Sequence, residues 1–259
     1  MKILFIGDIV GKSGRDIVSS LLYSQKVKYG ADLVIANGEN SAHGKGITFK
    51  IYRQLINEGI DYITMGNHTF SKSEIIDHFD ETDRLIVPYN HVKRTQDNYY
   101  KIITFRNYRF CLTNILGQAF MAETSMDPYN AFIEVMEKTE MYSPDFYFVD
   151  LHGESTAEKR TFVEYFKEKA KAVIGTHTHV QTADEAILNG CAFISDAGMC
   201  GAYDSIIGRD IEETIRANIY SEKTRYTIAE GPALFCGVLV EFDDNSKSPV
   251  SILRIQIRP

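Results

Sequence analysis

With 259 residues, 44% of them hydrophobic and 24% charged, the chain has the composition of a soluble globular protein with a substantial core. Its formal net charge of −7 argues against a broad electrostatic grip on duplex DNA, yet leaves room for a small anionic substrate held through metal ions. No window approaches the roughly 20 apolar residues of a membrane helix, and the four cysteines form no Cys-x-x-Cys pair, so the expectation is a cytoplasmic protein with reduced thiols and no membrane partner.

Residues 2–7 read as a buried first strand that opens on Asp8; their apolar run is too short for a signal peptide. Helical spacing through Ile17, Val18, Leu21 and Leu22 predicts a helix that stops near Gly30. Residues 33–36 predict a second buried strand delivering Asn37-Gly38-Glu39-Asn40. The glycine-rich run 41–46 follows, and Thr48 is placed to cap a helix ending at Gly59. A third strand, 62–65, delivers Gly66-Asn67-His68. Strand, loop and helix thus recur with a polar cluster after every strand. That is the pattern of an α/β fold whose site lies at the carboxyl ends of its strands.

Residues 102–105 and 110–113 flank a turn like a hairpin, and 118–130 read as a loop over the site. A helix near 131–141 precedes the strand 146–149, which leads to His152-Gly153-Glu154. Residues 155–171 have helical periodicity with Ser155 as cap. The strand 172–174 then enters Gly175-Thr176-His177-Thr178-His179, and Asn189-Gly190 marks a hairpin turn. Residues 195–208 are glycine-rich and long for a connector, and the alternating tail, 235–242 and 250–257, predicts a closing antiparallel hairpin. With no repeat or linker, residues 1–259 are expected to form one domain.

Gly7-Asp8-Ile9-Val10-Gly11-Lys12-Ser13 imitates a phosphate-binding P-loop but has three residues between its glycines where that loop needs four. A loop one residue short cannot wrap its amides around a phosphate in the same way. The better reading joins Asp8, Glu39-Asn40, Asn67-His68, His152 and the His177/His179 pair. Each lies after a short apolar run, and imidazole, carboxylate and amide oxygen together suit Mn²⁺ or Fe²⁺. Taken singly, Asp8 reads equally well as a helix cap, Asn40 and Asn67 as turn residues, and His152 as a core histidine. All of these at once is the poorer account. Glu39, between two other ligand-bearing strand ends, is the candidate to bridge two metals. Such a pair lowers the pKa of a shared water and clamps the phosphoryl oxygens for in-line attack. His43 lies in the glycine-rich loop and is either a substrate contact or an exposed loop residue; His78 and His91 read as surface residues.

In order and spacing, Gly7-Asp8, Gly38-Glu39-Asn40, Gly66-Asn67-His68, His152 and Gly175–His179 resemble the motifs of calcineurin-like metallophosphoesterases, and in detail the YmdB-type branch. Two departures from the wider superfamily, Val10 where a His is usual and Glu39 where an Asp is usual, are similar to that branch, where the Asn next to the Glu supplies the missing ligand. The resemblance implies a four-layer sandwich of two mixed β-sheets flanked by helices. It implies one divalent ion on Asp8, Glu39, Asn40 and His179, and a second on Glu39, Asn67, His152 and His177. Iron or manganese is expected. It also implies a phosphodiesterase acting on small nucleotide phosphodiesters such as 2′,3′-cyclic nucleotides, with His68 as general acid. Short RNA ends are further candidate substrates, and a homo-oligomer is compatible with the sequence. Two rivals remain at this stage. A TIM-barrel amidohydrolase also uses His-x-His, but early in its chain. A regulatory scaffold would keep only the shape of the metal site.

Overall fold

The computed structural model describes residues 1–94 and 98–259. The first strand, β1 (Lys2–Ile6), explains the layering by itself. Ile3 and Phe5 belong to one apolar cluster and Leu4 and Ile6 to another, the alternation expected of a strand buried on both faces. β2 (Asp8–Ile9) and helix α1 (Gly11–Tyr29) follow, the helix ending on Gly30 in the left-handed conformation (φ 62°). β3 (Leu33–Asn37) runs parallel to β1, with Ile3 opposite Leu33 and Ile6 opposite Ala36. α2 (Phe49–Asn57) is capped by Thr48 as its spacing predicts, and leads to β4 (Tyr62–Thr64) and, after two short 3-10 helices, β5 (Leu85–Ile86).

The second sheet begins with the hairpin β6 (Tyr100–Phe105) and β7 (Tyr108–Leu116). α3 (Pro128–Thr139), β8 (Phe146–His152), α4 (Thr156–Phe166) and β9 (Ala170–Thr176) come next, then β10 (Ala186–Leu188) and β11 (Cys191–Ile194) around Asn189-Gly190. The chain returns through β12 (Met199–Ala202), α5 (Ile211–Asn218) and the closing hairpin β13 (Ala233–Phe242) and β14 (Pro249–Ile257). One sheet has eight strands, β2-β12-β13-β1-β3-β4-β5 with β14 on β13; the other has six, β10-β11-β9-β8-β7-β6. Both mix parallel and antiparallel pairs.

The sheets meet over one core in which Phe5 and Val238 face Phe148 and Ile174, with the Phe5 and Phe148 rings 6.1 Å apart. α1 and α2 cover the outer face of the larger sheet through Val18, Leu22, Tyr52 and Leu55. α3 and α4 cover the other through Phe132, Val135, Phe162 and Phe166. This is the four-layer arrangement expected of a calcineurin-like phosphoesterase. Several segments differ from the sequence reading. β5 and the two 3-10 helices before it are not among the predicted elements, and the helix expected over 155–171 stops at Phe166, with β9 already under way at Ala170. The glycine-rich connector contains β12, which pairs with Asp8 and Ile9 of β2 and with β13, so it is part of the larger sheet. α5 had no counterpart in the predicted elements. No helix among the described residues is long and apolar enough to cross a membrane.

Candidate metal centre

The ends of β3, β4, β8 and β9 converge, and hydrogen bonds between the sheets fix them there. Asn37, last in β3, donates to the Asp150 carboxylate of β8 (3.0 Å) and to the Met65 carbonyl (3.0 Å), while its amide oxygen accepts from the Glu39 backbone (3.1 Å). Glu39 is 1% exposed and its Oε2 also accepts from the His68 backbone at 3.0 Å. Gly66 lets these groups come together: a Cβ there would lie 2.3 Å from Glu39 Oε2 and 2.4 Å from His152 Nε2.

Three imidazoles point at this centre, and in each the far nitrogen is committed to a partner. The Thr176 hydroxyl donates to Asp150 Oδ1 (2.6 Å), so it accepts from His152 Nδ1 (2.8 Å). His177 Nε2 faces Glu154 Oε2 at 3.3 Å, and His179 Nδ1 donates to the Ile207 carbonyl at 2.8 Å. In its neutral form each ring presents an inward lone pair, the arrangement that metal-ligating histidines need. His152 Nε2 then lies 3.1 Å from Glu39 Oε1, 3.1 Å from Asn67 Oδ1 and 3.1 Å from His177 Nδ1. With His152 neutral, all four are acceptors. A single proton on His152 satisfies one such contact at a time, whereas a cation satisfies them together.

The proton affinities express the same demand. Burial opposes charge on His152, but Glu39 beside it, helped by Asp8 and Asp150, outweighs this and raises the ring to about 9. Burial, then His152, pushes His177 down to about 3, so its Nδ1 is bare. Burial alone would raise Glu39; His152 and His68 pull it well below the usual carboxylate range. Asp8, fully buried, is raised to about 7 by desolvation against the pull of His179 and His152. Glu39, His152 and His177 offer ligand atoms that all lie within 4.8 Å of one another. The donor set fits divalent metal.

A second group adjoins the first through Glu39. The Asn40 amide donates to Glu39 Oε1 (3.0 Å) and reaches Asp8 Oδ1 (3.5 Å) and His179 Nε2 (3.0 Å). His179 Nε2 is 3.8 Å from Asp8 Oδ1, and Asp8 Oδ2 accepts from the His177 backbone at 3.2 Å. His177 and His179 both have positive φ, 106° and 67°, a strained state for residues with a side chain and one that clusters at functional sites. Lys159 and Asp196, both 1% exposed, brace this bend. The lysine donates to the Thr176 and Ser195 carbonyls (both 2.8 Å), and Asp196 accepts from the Thr178 backbone (2.9 Å).

All the residues singled out from sequence, Asp8, Glu39, Asn40, Asn67, His68, His152, His177 and His179, therefore meet at one place. The His68 ring is half-buried with no hydrogen-bond partner among the described residues; burial lowers its pKa, with Glu39 working against the shift. His43 is exposed, and His78 is half-exposed and stacked on Phe49. His91 is not a surface residue. It is 4% exposed, accepts from the Lys93 backbone at Nδ1 (3.1 Å), and so donates through Nε2 to the Asn67 carbonyl (3.1 Å). Sequence reasoning also missed Asn37, Asp150, Thr176, Lys159 and Asp196. The one available signal was a carboxylate inside the apolar strand, two residues before His152.

Two sheets packed face to face between layers of helices, with candidate metal ligands at their strand ends, place the fold in the calcineurin-like phosphoesterase class. The fold is shared with a structure described as a 5′-nucleotidase from Staphylococcus aureus (TM-score 0.64, 14% identity, covering 100% of this chain and 55% of that one). More narrowly, the chain belongs to the YmdB-like protein family, whose model matches residues 4–255. It is 42% identical over 258 residues to a Bacillus subtilis protein named 2′,3′-cyclic-nucleotide 2′-phosphodiesterase, covering 99% of this chain and 97% of that one. A crystal structure described as a novel phosphatase from Mycoplasma pneumoniae matches with TM-score 0.93 and 34% identity, covering 100% of this chain and 93% of that one.

Proposed function

We propose that this protein is a metal-dependent phosphodiesterase that opens 2′,3′-cyclic nucleotides, and short RNA ends bearing the same group, to 3′-phosphates. The observation that carries the reading is the convergence of Glu39 Oε1, Asn67 Oδ1 and His177 Nδ1 on His152 Nε2, each at 3.1 Å. The name of the Bacillus subtilis relative supports the substrate class.

Asn67, His152 and His177 are the ligands assigned to one divalent ion, Asp8, Asn40 and His179 to the other, and Glu39 to both. Asn40 would ligate through its amide oxygen after a flip of the side-chain amide, whose Nδ2 faces Glu39 and His179 in this structure. When bound, such ions supply Lewis acidity to a water and to the phosphoryl oxygens. Iron or manganese suits this carboxylate, amide and imidazole set, and the four cysteines are buried thiols outside it. The chain's own part in the chemistry falls to His68. The water, its proton released to solvent, would form the new bond to phosphorus as the bond from phosphorus to the 2′ oxygen breaks. His68 would donate its proton to that leaving oxygen and regain one from solvent. Its unpartnered ring is free to approach that oxygen. Residues 1–259 act as one domain, and free buried thiols suit the reducing cytoplasm.

The test is metal analysis of the purified protein together with turnover of 2′,3′-cyclic AMP and identification of the product. Two ions per chain and 3′-AMP are expected. Failure to turn over any cyclic nucleotide in the metal-loaded protein, or release of 2′-AMP, would overturn the reading.

A further inference from the structure

The segment that presents Glu39 and Asn40 continues as 41–46, and His43 of this run lines a cavity of about 600 Å³. That volume is in the range of small-molecule sites. The first turns of α1 supply Lys12 and Arg15, the loop supplies His43, and Lys72 and Arg225 close it from two further directions. The strap 225–230 is seated by Ile228 against Gly44, where a Cβ would come within 2.2 Å of Ile228 Cδ1, so this glycine (φ 79°) keeps the wall in place.

Positive charge dominates the cavity. Glu230 is the one acid lining it. Lys12 pairs with Asp16, and Asp16 and Glu58 also lie in the field of Arg15. Arg15 itself donates to the Ser41 carbonyl. Lys72 and Arg225 have no ion-pair partner among the described residues, in a chain whose formal charge is −7. The cavity also adjoins the catalytic loop: Gly46 lies between the Lys72 side chain and the His68 carbonyl. Lys45, 4.9 Å over the ring of Tyr226 in the cavity wall, reaches the His68 ring with its charge.

We infer that this cavity is a subsite for a second phosphate, the internucleotide phosphate just upstream of a 2′,3′-cyclic phosphate end. The inference rests on the proposed function and narrows it: the preferred substrate is an oligoribonucleotide end rather than a lone cyclic mononucleotide. Arg15 and Lys72 bound the near side of the subsite, and Arg225 the strap side.

The experiment compares kcat/KM for 2′,3′-cyclic AMP and for the dinucleotide ApA carrying a 2′,3′-cyclic phosphate, in the wild type and in a Lys72→Glu/Arg225→Glu variant of confirmed metal content. The wild type should favour the dinucleotide by about tenfold, the worth of a charge-assisted contact, and the variant should lose that preference. The logarithmic salt dependence of kcat/KM should be steeper for the dinucleotide by roughly 0.7 for each phosphate contact. Equal salt slopes, no dinucleotide preference, or equal slowing of both substrates would overturn the subsite. Added inorganic phosphate that alters turnover of cyclic AMP in the wild type and not in the variant would also overturn it, assigning the cavity to a free effector. If the wild type turns over neither substrate, the proposed function itself fails.

Discussion

The two halves of the centre are built differently. Around His152 and Glu39, each at most 1% exposed, the support is buried: Asp150 holds Thr176, Thr176 holds His152, and Asn37 links Asp150 to the Glu39 backbone, while Asn67 and His177 beside them are half-buried. Around His179 the support is a loop. The Nδ1 of its ring rests on the carbonyl of Ile207, a residue itself at φ 46°, and its Nε2 is 3.8 Å from Asp8 Oδ1. Burial and charge-assisted hydrogen bonds thus hold His152 and Glu39 in place before a metal arrives. The second half would be drawn together only when an ion binds it. The His152 half should therefore bind tightly and the His179 half exchange, and each variant below is chosen to break or sharpen that contrast.

Removing the shared carboxylate should have the largest effect. Glu39→Ala is expected to lose both ions and all turnover, whereas Asn40→Ala should lose mainly the ion of the His179 half. Metal content per chain and thermal unfolding measured together make the check. A Glu39→Ala protein that keeps one ion would mean the carboxylate does not bridge. His68→Ala comes next. It should retain both ions and lose ~10²–10⁴-fold in rate on a cyclic nucleotide, the usual worth of a positioned acid. The loss should be far smaller on bis(p-nitrophenyl) phosphate, whose leaving group needs no proton. Equal losses on the two esters would remove His68 from that role.

Thr176→Val addresses the bracing itself. The variant keeps the shape of a fully buried side chain but leaves His152 Nδ1 without an acceptor and Asp150 short of a donor. Losses of this kind weaken metal binding by ~10–100-fold. The loss should fall on the His152 half, so that titration of Mn²⁺ into metal-free protein shows the two affinities converge. A variant in which only the weaker ion suffers would reverse the contrast drawn above.

How much of this the sequence discloses follows from the range of each interaction. Asp8, Glu39, Asn67 and His152 stand at the ends of short apolar runs, a local pattern, and the alternation of strand and helix is equally local. Asp150 and Thr176 look in sequence like ordinary members of their strands, and only the pairing of β8 with β9 reveals that they meet. The cationic cavity is assembled from positions 12, 15, 72 and 225, which no window of sequence brings together. α5 is hidden for another reason: it buries Glu213 and Thr214 while Ile211 and Ile215 are each 41% exposed, the inverse of the apolar stripe by which a helix is recognised. His91 was misread because its partner is a backbone carbonyl, a group with no signature in sequence.

The smallest expected effect concerns that histidine. His91 stands behind Asn67, donating to its carbonyl while its ring meets Phe70 edge-on at 4.7 Å. It also forms a bridge with Thr124, so it ties the loop over the site to the strand end that presents Asn67. His91→Phe keeps an aromatic ring in the same space and deletes the hydrogen bonds. A net hydrogen bond is worth ~0.5–1.5 kcal/mol, or roughly 2–13-fold in the affinity of whichever ion Asn67 holds. Calorimetric titration with Mn²⁺ should find the tighter site weakened by that amount and the looser one unchanged, with no more than a modest fall in melting temperature. Selective weakening of the looser site would assign Asn67 to the His179 half, and equal weakening of both would mean that the two halves do not act as separate units.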